Sequence, residues 1–319
     1  MEFSKRTWIK IILVLAIVNV NLVLIGWPSF KLYFSKGIFP YSYPLIDQSR
    51  NLVGQEHFIV NLQSLREDLK DLVLKEGADS ITLYFEFLNT GANISINPDL
   101  KIWPASLAKL PLAMAAMKKV ENGIWHPKEE IVIEEKDKNN LSGTLFFNDA
   151  GTALTVERLI EEMLVHSDNT AYTMLSRNMT ELERRTIIDE TGLEELFDKE
   201  GKISSKEYSR LFRSLYTSSF LERENSSKIL TWLSKSDFSQ YLSQGIDKDV
   251  VFANKYGKNY QFYIYANSGI VYVPNRPYII SVIIKGDPSK DEQEEEIKAQ
   301  TIMTEISSKA YKYVVNYKK

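Results

Sequence analysis

Three short stretches of the chain carry side chains able to move protons and attack a carbonyl. In "WPASLAKLPLAMAAM" (103–117), Lys109 is the one charged residue of an apolar run, and Ser106 stands three positions before it. A buried ammonium is costly unless it is paired or loses its proton. Pro104 and Ala105 precede a helical pattern, so Ser106 sits near a helix N-terminus, where free N–H groups and the dipole favour negative charge. Lys109 shares its helix face. Packed among Leu107, Leu110 and Met114, the lysine amine holds its proton less firmly and can serve the hydroxyl as a general base. Taken alone, the pair equally describes an N-cap serine followed by a lysine reaching to solvent.

The second stretch is "HSDNTA" (166–171), where Ser167, Asp168 and Asn169 break an amphipathic helical pattern. These residues favour caps and turns, so a helix-to-helix turn accounts for them. A second hydroxyl and an amide facing Ser106 could instead relay a proton and hold a substrate amide. The third stretch, "NKYGKNY" (254–260), ends a predicted strand. Gly257, two residues after Lys255, either permits a bulge or lets a substrate backbone approach, with the next N–H aimed at a developing oxyanion.

The elements that must position these groups follow from periodicity. Leu62, Leu65, Leu69, Leu72 and Val73 predict a helix closed by Gly77. "SITLYFEFLN" and "ISIN" predict two strands joined at Thr90-Gly91. From Ala105 to about Ser243 the pattern is mainly helical, with Thr155 as an N-cap. "VVFANKYG", "QFYIYANSGIVYV" and "PYIISVIIKG" restore strands. The last segment carries Ile302, Ile306, Ala310 and Val314 on one stripe of a helix, acidic at its start and basic at its end. Two early and three late strands can form one antiparallel sheet, with the terminal helices on one face and a helical lobe (about 105–245) inserted: an α+β architecture.

Composition narrows the chemistry. Of 319 residues, 44% are hydrophobic and 25% charged, which suits one large domain or two interleaved ones. A net charge of −3 without a basic run argues against nucleic acid as a partner. The absence of cysteine excludes disulfides, thiol nucleophiles and cysteine-bound metals, and His57, His126 and His166 show no ligand spacing. No metal and no cofactor is called for.

Together and in this order, Ser-x-x-Lys, Ser-Asp-Asn and Lys-x-Gly resemble the motif set of penicillin-binding proteins and class A β-lactamases. "NISINPDLKIWPASLAKLPLA", "LTVERLIEEMLVHSDNTA" and "SGIVYVPNRPYIISVIIKG" also look like this superfamily, and the likeness runs from about residue 58 to the C-terminus. The resemblance implies a β-lactamase/transpeptidase-like fold with a five-stranded antiparallel sheet. It implies Ser106 as the acylated nucleophile, Lys109 as its base and Ser167 as proton shuttle to the leaving amine. Asn169 would hold the substrate's side-chain amide. Lys255 would tune Ser167 and attract the substrate carboxylate, Gly257 would admit the substrate, and the backbone N–H groups of Ser106 and Lys258 would form the oxyanion hole. His166 is a neighbour, not a triad base. The implied partners are a small-molecule β-lactam or a peptidoglycan stem peptide.

Two departures bear on activity. Tyr256 stands where the superfamily carries Thr or Ser, whose hydroxyl binds the substrate carboxylate, and Lys258 follows Gly257 in place of a small or hydroxylated residue. In addition, Glu194, Glu195 and Glu200 lie between the second and third motifs, but none has the Glu-x-x-Leu-Asn context of the class A deacylating glutamate. An acyl-enzyme formed from penicillin should therefore persist. Two readings stand: an acyl-transfer enzyme of β-lactamase or D-Ala-D-Ala peptidase type, and a degenerate, non-catalytic cell-wall-binding domain.

The N-terminus addresses location. "MEFSKRTWIK" is basic and an apolar segment of about 20 residues runs to Trp27, roughly a bilayer's thickness. Trp8 and Trp27 suit the two interfaces. No small-x-small site follows, so 1–27 reads as an uncleaved signal anchor, single-pass in the cell membrane. Residues 28–55 read as a linker, and 56–319 as a catalytic domain outside the cytoplasm.

Overall fold

The computed structural model describes residues 45–46, 59, 61–183 and 200–317. The expected membrane anchor, 1–27, lies outside them, as does all of the expected linker but residues 45–46. Among the described residues no helix is long and apolar enough to cross a membrane.

Helix α1 (Gln63–Gly77) leads into β1 (Ile81–Phe87) and β2 (Ala92–Ile96). Near the other end come β5 (Phe252–Asn259), β6 (Ile264–Val271), β7 (Tyr278–Lys285) and the closing helix α7 (Glu292–Asn316). The five strands form one antiparallel sheet in the order β2-β1-β7-β6-β5. First and last thirds of the chain thus meet where β1 pairs with β7, Phe85 opposite Ile280 and Leu83 opposite Val282.

The predicted leucine and isoleucine stripes explain what covers the sheet. Leu65, Leu69 and Leu72 of α1 join Ile302, Ile306, Ala310 and Val314 of α7 over Leu83, Phe85, Phe87, Ile280 and Val282. Asp291 starts α7 by accepting from the backbone N–H groups of Gln293 (2.9 Å) and Glu294 (3.0 Å). On the opposite face of β1 lies α5 (Ser205–Thr217), begun by a reciprocal cap between Ser204 and Glu207. Ser205 donates to the Thr82 carbonyl at 2.7 Å, and Arg213 pairs with the buried Glu86. Helices on both faces leave every residue of β1 buried: Ile81, Leu83, Phe85 and Phe87 join the apolar cluster, while the alternate Thr82, Tyr84 and Glu86 are satisfied by hydrogen bonds and the Arg213 ion pair.

Between β2 and β5 the chain builds the helical lobe. A short 3-10 turn (Ala105–Ala108) passes into α2 (Lys109–Glu121), followed by α3 (Val156–Val165), α4 (Asn169–Arg177), α5 and α6 (Arg223–Leu233). Thr155 caps α3 as expected, accepting from the Arg158 N–H at 3.2 Å. One correction applies: the lobe also contains a two-stranded antiparallel ribbon, β3 (Glu130–Val132) with β4 (Ala153–Thr155). Three residues per strand are too few to show a period of two.

Candidate active site

Trp103 to Lys109 is the first wall. Pro111 sits in the first turn of α2, where its missing N–H costs nothing. Ala105, just before Ser106, has φ of +50°, a left-handed conformation unfavourable for a residue with a Cβ. That turn places Ser106 at the entry to α2 with its side chain partly open to solvent. Lys109 is 3% exposed.

The second wall is the break between α3 and α4. Ser167 also has a left-handed backbone, φ of +53°, and its carbonyl accepts from Lys109 Nζ at 2.6 Å. Asp168 caps α4: its Oδ1 accepts from the Ala171 N–H at 2.8 Å, while Oδ2 accepts from the Leu145 N–H at 2.8 Å. The turn expected here is real, and it is built so that Ser167 and Asn169 face α2.

These walls meet at one amine. Lys109 Nζ lies 3.1 Å from Ser106 Oγ, 3.1 Å from Ser167 Oγ and 2.6 Å from Asn169 Oδ1. The amide nitrogen of Asn169 donates in turn to Asn139 Oδ1 at 3.1 Å. Burial pushes the Lys109 pKa down to about 8, and the Asp168 carboxylate partly opposes that. An amine with a pKa near neutrality, within reach of two hydroxyls, can take a proton from one and pass it to the other.

The third wall is β5, at the sheet edge. Lys255 is fully buried, and its Nζ has no hydrogen-bond partner among the described residues; it lies 5.9 Å from the centre of the Phe238 ring. The hydrogen bond to Ser167 that tuning would use is thus not made. Burial, and then the charge of Lys109, hold the Lys255 pKa well below the ordinary lysine value. Gly257 passes so close to the 3-10 turn that a Cβ there would stand 2.9 Å from the Ser106 nitrogen and 3.0 Å from the Pro104 carbonyl oxygen.

Tyr256 and Lys258 complete this wall of the cleft. The Tyr256 ring is buried, 4.2 Å from the Phe238 centroid and 5.4 Å from that of Tyr241. Lys258 bonds Glu296 of α7 at 2.9 Å and also contacts the Tyr260 hydroxyl. The three walls enclose a cleft of about 700 Å³, lined by Ser106, Lys109, Ser167, Asn169, Tyr256 and Lys258 among others. None of the described residues lining it is a carboxylate. Glu200 lines a neighbouring cavity, and Glu194 and Glu195 lie outside the described residues.

Some participants gave no sequence signal. Phe238 lines the cleft from an irregular segment after α6, and Tyr241, which opens a 3-10 turn (Tyr241–Gly245), packs beside it on Tyr256. Asn139 and the Ser142-Gly143 turn support the second motif; that dipeptide is a turn signal, though nothing marks its partner. His166 contacts the Asp237 carboxylate, tying the second motif to the Phe238 segment.

Comparison with known proteins places this geometry. The profile of the Beta-lactamase enzyme family matches residues 64–314. Among solved structures, PBP-A aligns with a TM-score of 0.71 at 22% identity, over 80% of this chain and 97% of that one. The acyl-enzyme complex of a PBP-A mutant with penicillin G aligns at 0.70 and 21% identity, over 80% and 98% of the two chains. A β-lactamase from Sphaerobacter thermophilus DSM 20745 aligns at 0.70 and 18% identity, over 80% and 98%. At such identities these structures establish the shared fold. A search of curated protein sequences gives no significant match.

Proposed function

Since the chain belongs to the Beta-lactamase enzyme family, we propose that it is a serine hydrolase that opens β-lactam or D-Ala-D-Ala-type amide bonds through an ester on Ser106. The observation that carries this reading is the position of Lys109 Nζ, 3.1 Å from both Ser106 Oγ and Ser167 Oγ.

In this reading Ser106 Oγ adds to the carbonyl carbon as its proton passes to Lys109 Nζ. The developing oxyanion takes hydrogen bonds from the Ser106 and Lys258 backbone N–H groups, which the close approach of Gly257 to the 3-10 turn supports. The C–N bond then breaks, and its nitrogen receives a proton from Ser167, which Lys109 resupplies. The amine of a peptide departs, that of an opened β-lactam ring stays tethered, and the acyl group stays on Ser106. Lys255, buried without a hydrogen-bond partner and not itself a lining residue of the cleft, would attract a substrate carboxylate through its charge, and the carboxylate would favour its protonated form. Asn169, already held by Lys109 and Asn139, would offer its amide to the substrate side chain.

Release requires a water and a base to activate it. None of Glu194, Glu195 and Glu200 has the sequence context of the class A deacylating glutamate, which supports slow deacylation, hence penicillin-binding behaviour over fast β-lactam hydrolysis. We also place the domain outside the cytoplasm, held by a signal anchor at 1–27; the basic flank and apolar run support this. Tyr256 in the third motif favours the second reading, a non-catalytic wall-binding domain.

Incubation of the domain with a fluorescent penicillin decides between them. A stable label on Ser106 is expected. Absence of label would overturn the enzyme reading, rapid loss would favour β-lactamase action, and labelling of a Ser106→Ala variant would refute the nucleophile.

A further inference from the structure

The cleft at Ser106 does not end at Trp103. Beyond the indole lies a second cavity of about 500 Å³, and Trp103 lines both. Its apolar wall comes from Leu100, Ile102, Trp103, Phe262 and Ile264. The Trp103 and Phe262 rings meet edge to face at 5.8 Å between centroids, although Trp103 is 39% and Phe262 54% exposed.

Two features make this a built surface. Ile102 is bridged to Ile203 by a pair of backbone hydrogen bonds, each 3.0 Å, so the backbone leading into Trp103 is held four residues before the nucleophile. The Phe262 N–H donates to Asn259 Oδ1 at 2.9 Å, which holds the β5–β6 turn. Along that turn the lining is continuous: Lys258 to Gln261 face the first cleft, and Phe262 and Ile264 the second. Neighbouring aromatic rings left half in water contribute little to folding, and a paired aromatic edge is suited to an apolar ligand group. The rim carries Lys101, Lys202 and Lys285 but also Asp79 and Glu200, a mixture that selects for neither charge.

Direction follows from the proton path. The amine would leave toward Ser167, and no residue of the second motif lines the second cavity. A substrate reaching past Trp103 does so with its other half. We propose that this cavity is a subsite for an apolar, aryl-ended group carried on the acyl side of the scissile amide. The proposal rests on the reading of the cleft as an amide-substrate site.

Its test uses binding, so that it does not depend on turnover. The Ser106→Ala protein is titrated by calorimetry with N-acetyl-D-alanyl-D-alanine and with its N-(4-phenylbutanoyl) counterpart. The aryl peptide should bind about tenfold more tightly. In a Ser106→Ala/Phe262→Ser protein that advantage should fall below about threefold, and Phe262→Trp should preserve it. Equal affinities, an advantage untouched by Phe262→Ser, or failure of both peptides to bind would each overturn the subsite. If penicillin labels Ser106 while the aryl group gains nothing, only the subsite fails. If no label forms but the aryl preference holds, the acyl-enzyme reading fails and the subsite stands.

Discussion

Gly257 and Ser106 approach so closely that a methyl group on Gly257 would stand 2.9 Å from the Ser106 backbone nitrogen. The contact joins the sheet edge to the N-terminus of α2, and it requires a residue without a side chain. Gly257→Ala should therefore push β5 off the 3-10 turn. Overpacking of this kind costs about 1–3 kcal/mol, while misplacing an oxyanion donor costs about a hundredfold in rate. Penicillin acylation by Gly257→Ala should fall by about that factor, with the circular dichroism spectrum unchanged. Wild-type acylation by this variant would remove the steric argument.

Acylation should depend on pH through Lys109. Its pKa is lowered to about 8, and the amine must be neutral to accept the Ser106 proton. The acylation rate should rise with pH up to about 8 and level off above it. Lys109→Met should lower the plateau by about a hundredfold or more and abolish that rise. Stability carries the same signature. Because the folded-state pKa lies below the unfolded value of 10.5, the unfolded chain binds more protons in that window, and stability increases with pH from about 8 toward 10.5. Urea unfolding at several pH values, wild type minus Lys109→Met, should show this positive slope; a flat difference would contradict the burial argument.

Asp168 both holds the Ser167 turn and keeps Lys109 more basic than burial alone would leave it. Asp168→Asn separates those roles. Removal of the negative charge should move the acylation pH profile to lower pH. The new amide keeps an acceptor for the Ala171 N–H but sets a donor against the Leu145 N–H, at a cost of about 1–3 kcal/mol. A variant less stable yet active at lower pH is the expected result. A profile shifted upward would show that Asp168 acts on the base by another route.

What could be read from the sequence was whatever repeats or clusters locally. The stripes at Leu65–Leu69–Leu72 and Ile302–Ile306–Ala310 gave the covering helices because three- and four-residue spacing survives in any window. The three motifs each occupy a few adjacent residues, so Ser106, Lys109, Ser167, Asn169 and Gly257 were visible before the fold was. The left-handed backbone at Ala105 and Ser167 was hidden, since neither residue type announces it. So was Phe238, whose partners Tyr256 and Lys255 come from a strand it meets only in the folded chain.

Tyr256 is where this chain departs most from its family's pattern, and its packing says what a reversal would cost. Its ring lies between Phe238 and Tyr241, with 7% of its surface exposed, and Phe238 in turn covers Lys255. Tyr256→Thr would supply the hydroxyl that the third motif usually carries but would leave the space between two rings unfilled. Large-to-small changes at such aromatic positions cost about 3 kcal/mol or more. Tyr256→Phe keeps the stack and removes only the hydroxyl, so it should cost about 1 kcal/mol or less. In urea the Thr variant should unfold at a clearly lower midpoint than the Phe variant. Comparable midpoints would mean that the stack contributes little and that Tyr256 is retained for its hydroxyl instead.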